Sequence, residues 1–308
     1  MTPSVIPEPL PFKIQLSIAS LNFDITCENY RVIQEDEKSY EQFLRPNLKT
    51  GAKPLSVRLL MYETMPRLDT LTKTFDSTET WAMYNEPGLK YISFQPLSKN
   101  TPDWIARINE GLNKIDIYCS NSLIRQTNEG EQVLANPVCY PLDQILLTNL
   151  LLGRGLLVHA AGIIIDDKGY LFAGTSGAGK STISELCQAN KTISILSDDR
   201  IVIEKTGQDI CMYGTPWPGD AGISVNDSAR LHGIFFINHA EDNSINELSP
   251  GDGLKNLLKV TSLPLYDEFD LQKSLDFCDD LLKIVKTYEL NFRPGPEIVE
   301  DILSFVSG

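Results

Sequence analysis

The sequence predicts a mixed α/β protein, with a β-rich N-terminal domain over residues 1–140 and an α/β domain over residues 141–308. Three observations predict this class. Runs rich in β-branched and aromatic residues dominate the first 140 residues. A glycine-rich loop then joins an apolar run to a helical segment at 174–181, and helical periodicity dominates from residue 249 onward.

Four segments of the first domain predict strands, because they combine β-forming residues with partial polar and apolar alternation. Stretches rich in Pro, Gly and polar residues between them predict turns at 46–54, 85–88 and 98–103. The turn "NEPG" at 85–88 predicts a hairpin, and "EKSYEQFLRP" at 37–46 predicts a short helix. The predicted strand segments are 12–27, 55–62, 80–96 and 106–120. This domain carries no catalytic pattern of its own, and we expect it to serve substrate or partner recognition.

The second domain alternates strands and helices around the glycine-rich loop. "DDKG" at 166–169 predicts a tight turn between two apolar strands, the second of which runs into the loop. The predicted strands lie at 156–166, 170–174, 192–197, 201–205, 209–214 and 229–239. The predicted helices lie at 140–155, 180–189, 249–260, 271–287 and 295–306.

Charge and composition exclude several classes of protein. The chain has 27 Lys and Arg against 41 Asp and Glu, a net charge of −14, which argues against a broad nucleic-acid or anionic-membrane surface. The N-terminus lacks a signal-peptide pattern, and the apolar runs are too short or too interrupted to span a bilayer. The six cysteines are scattered, with no CxxC pair, and are expected to be mostly buried in a reducing compartment. We therefore expect a cytoplasmic protein.

The glycine-rich loop fits the Walker A pattern G-x-x-x-x-G-K-[ST]. Its glycines allow backbone N–H groups to approach phosphates, and the following helix adds a partial positive charge. Lys180 is expected to reach the outer phosphates of ATP, and the Ser181 hydroxyl to bind Mg²⁺. The predicted nucleotide-binding residues are Gly174, Thr175, Ser176, Gly177, Ala178, Gly179, Lys180, Ser181 and Thr182.

A pair of aspartates, Asp198 and Asp199, ends an apolar strand in "LSDDR". Carboxylates beside such a loop can hold Mg²⁺ and accept a proton from an attacking hydroxyl. Successive strand residues point to opposite faces, so one aspartate is expected to face the phosphates while the other supports it. A solvated turn with a local Asp–Arg pair is the alternative interpretation.

Three further features are less specific. His159 interrupts an apolar strand, where a histidine taken alone is more often a core residue than a catalyst. "GTPWPGDAG" at 214–222 is a loop with Trp217 and Asp220 expected at the surface, either a substrate clamp or a connection. His232 and His239 flank an apolar strand, and the sequence assigns them no role.

Together, "LLVHAAGIIIDDKGYLFAGTSGAGKST", "ILSDDRIVI" and "LHGIFFI" resemble the catalytic domain of the HPr kinase/phosphorylase family, which is related in fold to phosphoenolpyruvate carboxykinase. The resemblance covers roughly residues 140–240. It implies a P-loop kinase domain in which the loop binds ATP, and Lys180 serves the phosphates. One of Asp198 and Asp199 would be the base, and Asp199 with Ser181 would hold Mg²⁺. It also implies that His159 lies at the active site.

The chain departs from that family in two places. The family's Arg-Gly pair is His232-Gly233 here, which puts phosphorylase activity and recognition of the HPr protein in doubt. The N-terminal half also does not match the usual one of the bifunctional enzymes. The whole is more similar to HPr-kinase-like proteins of ribosomally made peptide pathways, including lasso-peptide precursor kinases, which phosphorylate a peptide serine. Because the bifunctional enzymes assemble, the resemblance also allows a homo-oligomer.

The sequence leads to one main hypothesis and two alternatives. The main hypothesis is an ATP- and Mg²⁺-dependent kinase that transfers the γ-phosphoryl group to a serine hydroxyl of a peptide or protein. The first alternative is a kinase of a small hydroxylated molecule such as free serine. The second is a nucleotide-gated binding module that hydrolyses ATP without a phosphoryl acceptor.

Overall fold

The computed structural model describes residues 11–44, 53–62, 65–78 and 80–307. These form two compact units. The first consists of the described residues up to Glu37 and from Leu44 to Leu142, and the second of Lys38–Phe43 together with the residues from Asp143 onward. A short segment from the N-terminal half of the chain is therefore part of the second unit.

The first unit is built on an eight-stranded sheet of order β1-β2-β4-β9-β8-β7-β6-β5, beside a three-stranded sheet of order β10-β11-β3. The pairs β2–β4, β4–β9 and β3–β11 are parallel, and the remaining pairs are antiparallel. Its strands are β1 (Phe12–Ile18), β2 (Leu21–Cys27), β3 (Arg31–Ile33), β4 (Leu55–Met61), β5 (Thr72–Asp76), β6 (Trp81–Glu86), β7 (Leu89–Phe94), β8 (Trp104–Asn109), β9 (Lys114–Cys119), β10 (Ile124–Gln126) and β11 (Gln132–Ala135).

The second unit contains one sheet and the larger helices. Helix α1 (Glu37–Tyr40), most of which belongs to this unit, and α2 (Leu142–Leu150) both precede its sheet in the chain. Its strands are β12 (Gly155–Ile165), β13 (Lys168–Ala173), β14 (Ile193–Ser197), β15 (Arg200–Thr206), β16 (Asp209–Tyr213), β17 (Ser228–His239), β18 (Ser244–Glu247) and β19 (Lys286–Phe292). Its later helices are α3 (Lys180–Gln188), α4 (Pro250–Val260), α5 (Glu268–Ile284) and α6 (Glu297–Ser307).

Strand pairing brings the loop after β13 to the end of β17. The sheet order is β13-β12-β15-β16-β17-β19-β18, and β17 also pairs in parallel with β13. Parallel strands end at the same edge of a sheet, so the C-terminal ends of β13, β17 and β19 lie together. The short strand β14 pairs with β12 on the same edge as β15, with Asp198 and Asp199 between them.

Alternate residues of these strands pack into two separate cores, one on each face of the sheet. On one face, residues such as Val158, Leu171 and Phe236 pack with α4 and α5. On the other, residues such as Ile163, Phe172 and Phe235 pack with α3 and α6. The unit therefore has three layers, with the sheet between α4 and α5 on one side and α3 and α6 on the other. The glycine-rich loop connects β13 to α3 at one end of the sheet.

The structure confirms a mixed α/β fold with large sheets, and it confirms both predicted hairpins. The turn after β12 has positive φ at Asp166 and Asp167, 49° and 62°, as a two-residue hairpin turn of type I′ requires. The runs 12–27 and 106–120 each hold two strands rather than one element. All six cysteines are free, and four of them are buried.

Three predicted helix ends were wrong, and the first is that of the short helix expected over 37–46, which ends at Tyr40. The helix expected over 271–287 ends at Ile284, and residues 286–292 form β19, because Thr287, Tyr288 and Phe292 favour a strand that pairs with β17. The helix expected to reach residue 155 ends at Leu150.

Other predicted features fall partly beyond the described residues. Most of the turn expected at 46–54 lies outside them, as do the last two residues of the helix expected over 37–46. Across the described helices, none is both long and apolar enough to cross a membrane.

Candidate functional site

The glycine-rich loop runs from Gly174 to Gly179 and ends in α3, the strand–loop–helix arrangement that the motif requires. Gly177 and Gly179 have φ of 80° and 101°, in the left-handed region that glycine adopts without strain. A Cβ at position 179 would lie 2.6 Å from Cζ of Phe292, and one at position 174 would lie 2.6 Å from Cβ of Ala178. Close packing and backbone conformation therefore both demand glycine here.

Lys180 is the first residue of α3 and is 7% exposed. Its Nζ donates to the carbonyl oxygens of Gly174 and Thr175, at 3.1 and 3.3 Å. Burial lowers the pKa of the ammonium group, while the nearby Asp199 carboxylate acts in the opposite direction. The Lys180 ammonium thus lies against the glycine-rich loop, where it can donate a charge-assisted hydrogen bond to an anion bound by that loop.

A cavity of about 340 Å³ opens over this loop. Its wall combines the loop, the start of α3, one histidine of β12, one of the paired aspartates and part of the 214–222 segment. The lining residues are His159, Ser176, Gly177, Gly179, Lys180, Ser181, Thr182, Asp199, Gly219, Asp220 and His239. A Lys ammonium, two Asp carboxylates and several Ser and Thr hydroxyls therefore line the same cavity.

Asp199 is the aspartate that faces the cavity, with its side chain 31% exposed. His159 Nε2 lies 2.8 Å from its Oδ1, and Arg200 Nε donates to its Oδ2 at 3.3 Å. Burial raises the pKa of this carboxyl, but the hydrogen bond and charge of His159, with Arg200 and Lys180, lower it overall. The group is consequently ionised at neutral pH and oriented by two partners.

Asp198 points the other way and is 1% exposed. Its Oδ1 accepts hydrogen bonds from the backbone N–H groups of Gly219 and Ile223, and its Oδ2 from Ala221, at 2.9, 3.2 and 2.8 Å. A Cβ at position 219 would lie 2.7 Å from Oδ2 of Asp198. This carboxylate thus holds the loop that carries Gly219 and Asp220 into the cavity.

The expectation that Trp217 is exposed was wrong, whereas Asp220 is exposed as expected. Trp217 is 6% exposed, and its Nε1 donates to Asp143 Oδ2 at 2.9 Å and to the Tyr40 hydroxyl at 3.1 Å. Tyr40 also donates to Asp143, which is fully buried. The indole is buried because these two distant residues supply the polar partner that its N–H needs.

The segment Lys38–Phe43 supports the same loop from its other side. The Ser224 hydroxyl donates to the backbone carbonyl of Ser39 at 3.2 Å, and the Asn226 N–H donates to Gln42 Oε1 at 3.2 Å. Asp198 thus holds residues 219–223, and this segment holds Ser224 and Asn226, which follow them directly.

Burial raises the pKa of Asp143 to about 6 from its ordinary 3.8, although Tyr40 and Trp217 lower it. A raised folded-state pKa contributes stability that is present at low pH and is lost as pH rises through 6. We expect the stability of the protein relative to Asp143→Asn to fall by about 2 kcal/mol between pH 4.5 and 7.5. Urea unfolding of both proteins across this range measures the difference in their unfolding free energies. A difference that does not change with pH would contradict the raised pKa of Asp143.

The structure brings most of the predicted site residues together around the cavity. Gly174, Thr175, Ala178 and Asp198 lie behind its wall and shape it rather than line it. His239 lines it although the sequence analysis assigns it no role, and Gly219 and Asp220 line it as part of the 214–222 loop. His232 does not line it and lies in the first half of β17, where the strand skips one residue of its register with β13.

The residues present suit Mg²⁺. The Ser181 hydroxyl and the Asp199 carboxylate line the same cavity, and Mg²⁺ is usually bound by one or two such groups together with substrate phosphates and water. Among the described residues, no group of three or more His, Cys, Asp and Glu side chains could hold a metal ion by itself.

No protein-family model matches the chain, and no curated protein matches it either. Among solved structures, the Hpr(Ser) kinase/phosphatase from Coxiella burnetii is similar to 49% of this chain, over 93% of its own, with 12% identity and a TM-score of 0.29. A shared fold does not determine a protein's function, so the reaction is inferred from the residues of this cavity.

Proposed function

We propose that the protein is an ATP- and Mg²⁺-dependent kinase that transfers the γ-phosphoryl group to a serine hydroxyl of a peptide or protein. One observation carries the proposal: the glycine-rich loop with Lys180 and an ionised, histidine-linked Asp199 face the same cavity. The loop supplies phosphate binding, and the carboxylate supplies the base that a hydroxyl acceptor needs. A ribosomally made precursor peptide is the acceptor class that we favour.

The glycine-rich loop, Lys180, Ser181 and Asp199 each have a role in this reaction. The backbone N–H groups of the loop and the Lys180 ammonium bind and orient the phosphates. Ser181 and Asp199 would hold Mg²⁺, which when bound neutralises charge on the phosphate oxygens. The Asp199 carboxylate accepts the proton of the serine hydroxyl as its oxygen attacks the γ-phosphorus. The bond from that phosphorus to the β-phosphate oxygen breaks, and ADP leaves with the electron pair.

His159 and Asp198 position the reacting groups. The 2.8 Å contact from His159 Nε2 fixes one oxygen of Asp199 and favours its ionised form. Asp198 holds the Gly219–Ile223 stretch, which closes one side of the cavity. The two aspartates thus have different tasks, although they are adjacent in sequence.

Following the label from [γ-³²P]ATP tests the proposed class of reaction. The protein is incubated with Mg²⁺, a pool of serine-containing peptides and a pool of small hydroxylated metabolites. We expect label in the peptides, and none with Lys180→Ala. Label in the metabolites would instead identify a small-molecule kinase, and label only in inorganic phosphate would indicate an ATPase without an acceptor.

Gly179→Ala is expected to weaken MgATP binding at least about tenfold, since a left-handed alanine costs about 1–2 kcal/mol and its Cβ also overlaps Phe292. Gly177→Ala is the matched control: its φ is also positive, but its Cβ would meet open space. Titration calorimetry with MgATP compares the two. Equal losses in both variants would show that the packing against Phe292 does not matter.

A further inference from the structure

His239 is an aromatic side chain at the cavity wall that the proposed reaction leaves without a role. It is the last residue of β17 and pairs in register with Phe292, the last residue of β19. Phe235 and Ile237 of the same strand pack on the face of the sheet that carries α3. By strand alternation, His239 continues this series at the end where the glycine-rich loop begins.

Two contacts fix the orientation of the imidazole ring. Its Nε2 lies 3.1 Å from the carbonyl oxygen of Gly177, which can only accept, so Nε2 carries the hydrogen. Its ring stacks on Phe292, with centroids 5.3 Å apart and planes inclined by 29°. The site of a Gly179 Cβ would lie 3.2 Å from Cε1 of the ring, so the imidazole lies directly against the loop.

One face of this ring remains open. Phe292 is fully buried and covers the first face, whereas His239 is exposed. Because Phe292 occupies one face and the residue both is exposed and lines the cavity, we infer that the opposite face of the imidazole borders the space over the loop. A pre-oriented aromatic face at the wall of a phosphate pocket suits the flat base of a nucleotide.

We propose that His239 is the stacking platform for the purine base of the bound nucleotide. The proposal rests on the proposed function, since it takes a nucleoside triphosphate as the ligand. Stacking uses the π-face that every base presents, so the platform would accept ATP and GTP alike. The competing role for His239 is purely positional, in which it only holds the Gly177 carbonyl and thereby the loop.

Inorganic tripolyphosphate separates the two roles because it offers the loop a phosphate chain without a base. Calorimetry measures the binding of MgATP and of magnesium tripolyphosphate to the wild-type protein and to three variants of His239. His239→Ala removes both the ring and the hydrogen bond. His239→Gln keeps a donor for Gly177 without a ring, and His239→Phe keeps a ring without the donor.

The matched control is His232→Ala, which changes a histidine in the first half of the same strand, outside the cavity. We expect this variant to bind both ligands as the wild-type protein does. We expect His239→Ala and His239→Gln to weaken MgATP about tenfold and to leave tripolyphosphate unchanged, the loss that removal of one base stack produces. His239→Phe is expected to bind MgATP nearly as well as wild type.

Other outcomes overturn the inference in recognisable ways. If His239→Ala and His239→Phe weaken both ligands alike while His239→Gln does not, His239 only positions the loop. If no variant changes either affinity, the base lies elsewhere. If the wild-type protein binds neither ligand, the proposed function itself is wrong, and the platform with it.

Discussion

Asp199→Asn is expected to lower the turnover of phosphoryl transfer by about 10²- to 10⁴-fold, the usual contribution of a general base, and to weaken MgATP binding by a smaller factor, because an amide replaces one of the two proposed Mg²⁺ ligands. An amide cannot accept the proton of the attacking hydroxyl. It keeps the shape of the carboxylate and an oxygen that can still accept from His159. Steady-state kinetics with a phosphorylatable peptide, together with MgATP titration, measures both quantities.

Asp209→Asn is the matched control for this substitution. Asp209 lies on β16, where its carboxylate pairs with Arg230 at 3.2 Å, and it is not part of the cavity wall. We expect this variant to turn over at the wild-type rate. Normal turnover by Asp199→Asn would show that the base is another group.

Asp198→Ala is expected to destabilise the protein by about 3–5 kcal/mol. The substitution leaves three backbone N–H groups of the 219–223 stretch without their acceptor, and each buried donor left unsatisfied costs about 1–3 kcal/mol. Phosphoryl transfer should fall as well, because Gly219 and Asp220 line the cavity. Denaturant unfolding gives the loss of stability.

Asp198→Asn is the informative companion. Its amide oxygen can still accept from Gly219 and Ile223, and the remaining amide NH₂ would face the N–H of Ala221. We therefore expect a smaller loss, about 1–2 kcal/mol. A stability of Asp198→Ala within 1 kcal/mol of wild type, on the order of one ordinary hydrogen bond, would contradict the anchoring role.

The parts of the site that local sequence encodes were the predictable ones. The spacing of Gly174, Gly179 and Lys180 requires a strand, a tight loop and a helix, and those are the elements around it. The turn at Asp166–Asp167 was predictable for the same reason, since a hairpin turn depends on a few adjacent residues.

The parts that depend on distant pairing were not predictable. Trp217 looked exposed in its Pro- and Gly-rich loop, but Tyr40 and Asp143, far away in the chain, bury it. The sequence predicts helix at Lys286 and Thr287, but these residues begin β19, because the partner strand β17 is remote in sequence. His239 gained a place in the cavity only through the parallel alignment of β13, β17 and β19.

The two adjacent aspartates show that even a single motif is only partly predictable from sequence. Alternation along a strand predicts that Asp198 and Asp199 point in opposite directions. It does not say which of them faces the phosphates. That depends on the loop at 219–223, whose N–H groups bind the Asp198 carboxylate. Asp199 instead contacts His159 and faces the cavity.

Mass spectrometry of serine peptides tests the central claim most directly. The wild-type protein is incubated with MgATP and a library of serine-containing peptides that includes those encoded beside its gene, and with matched peptides in which alanine replaces serine. We expect a phosphate-sized mass increase on serine peptides alone, and none with Asp199→Asn. ATP turnover that is equal with serine and alanine peptides, with all phosphate released to water, would contradict it.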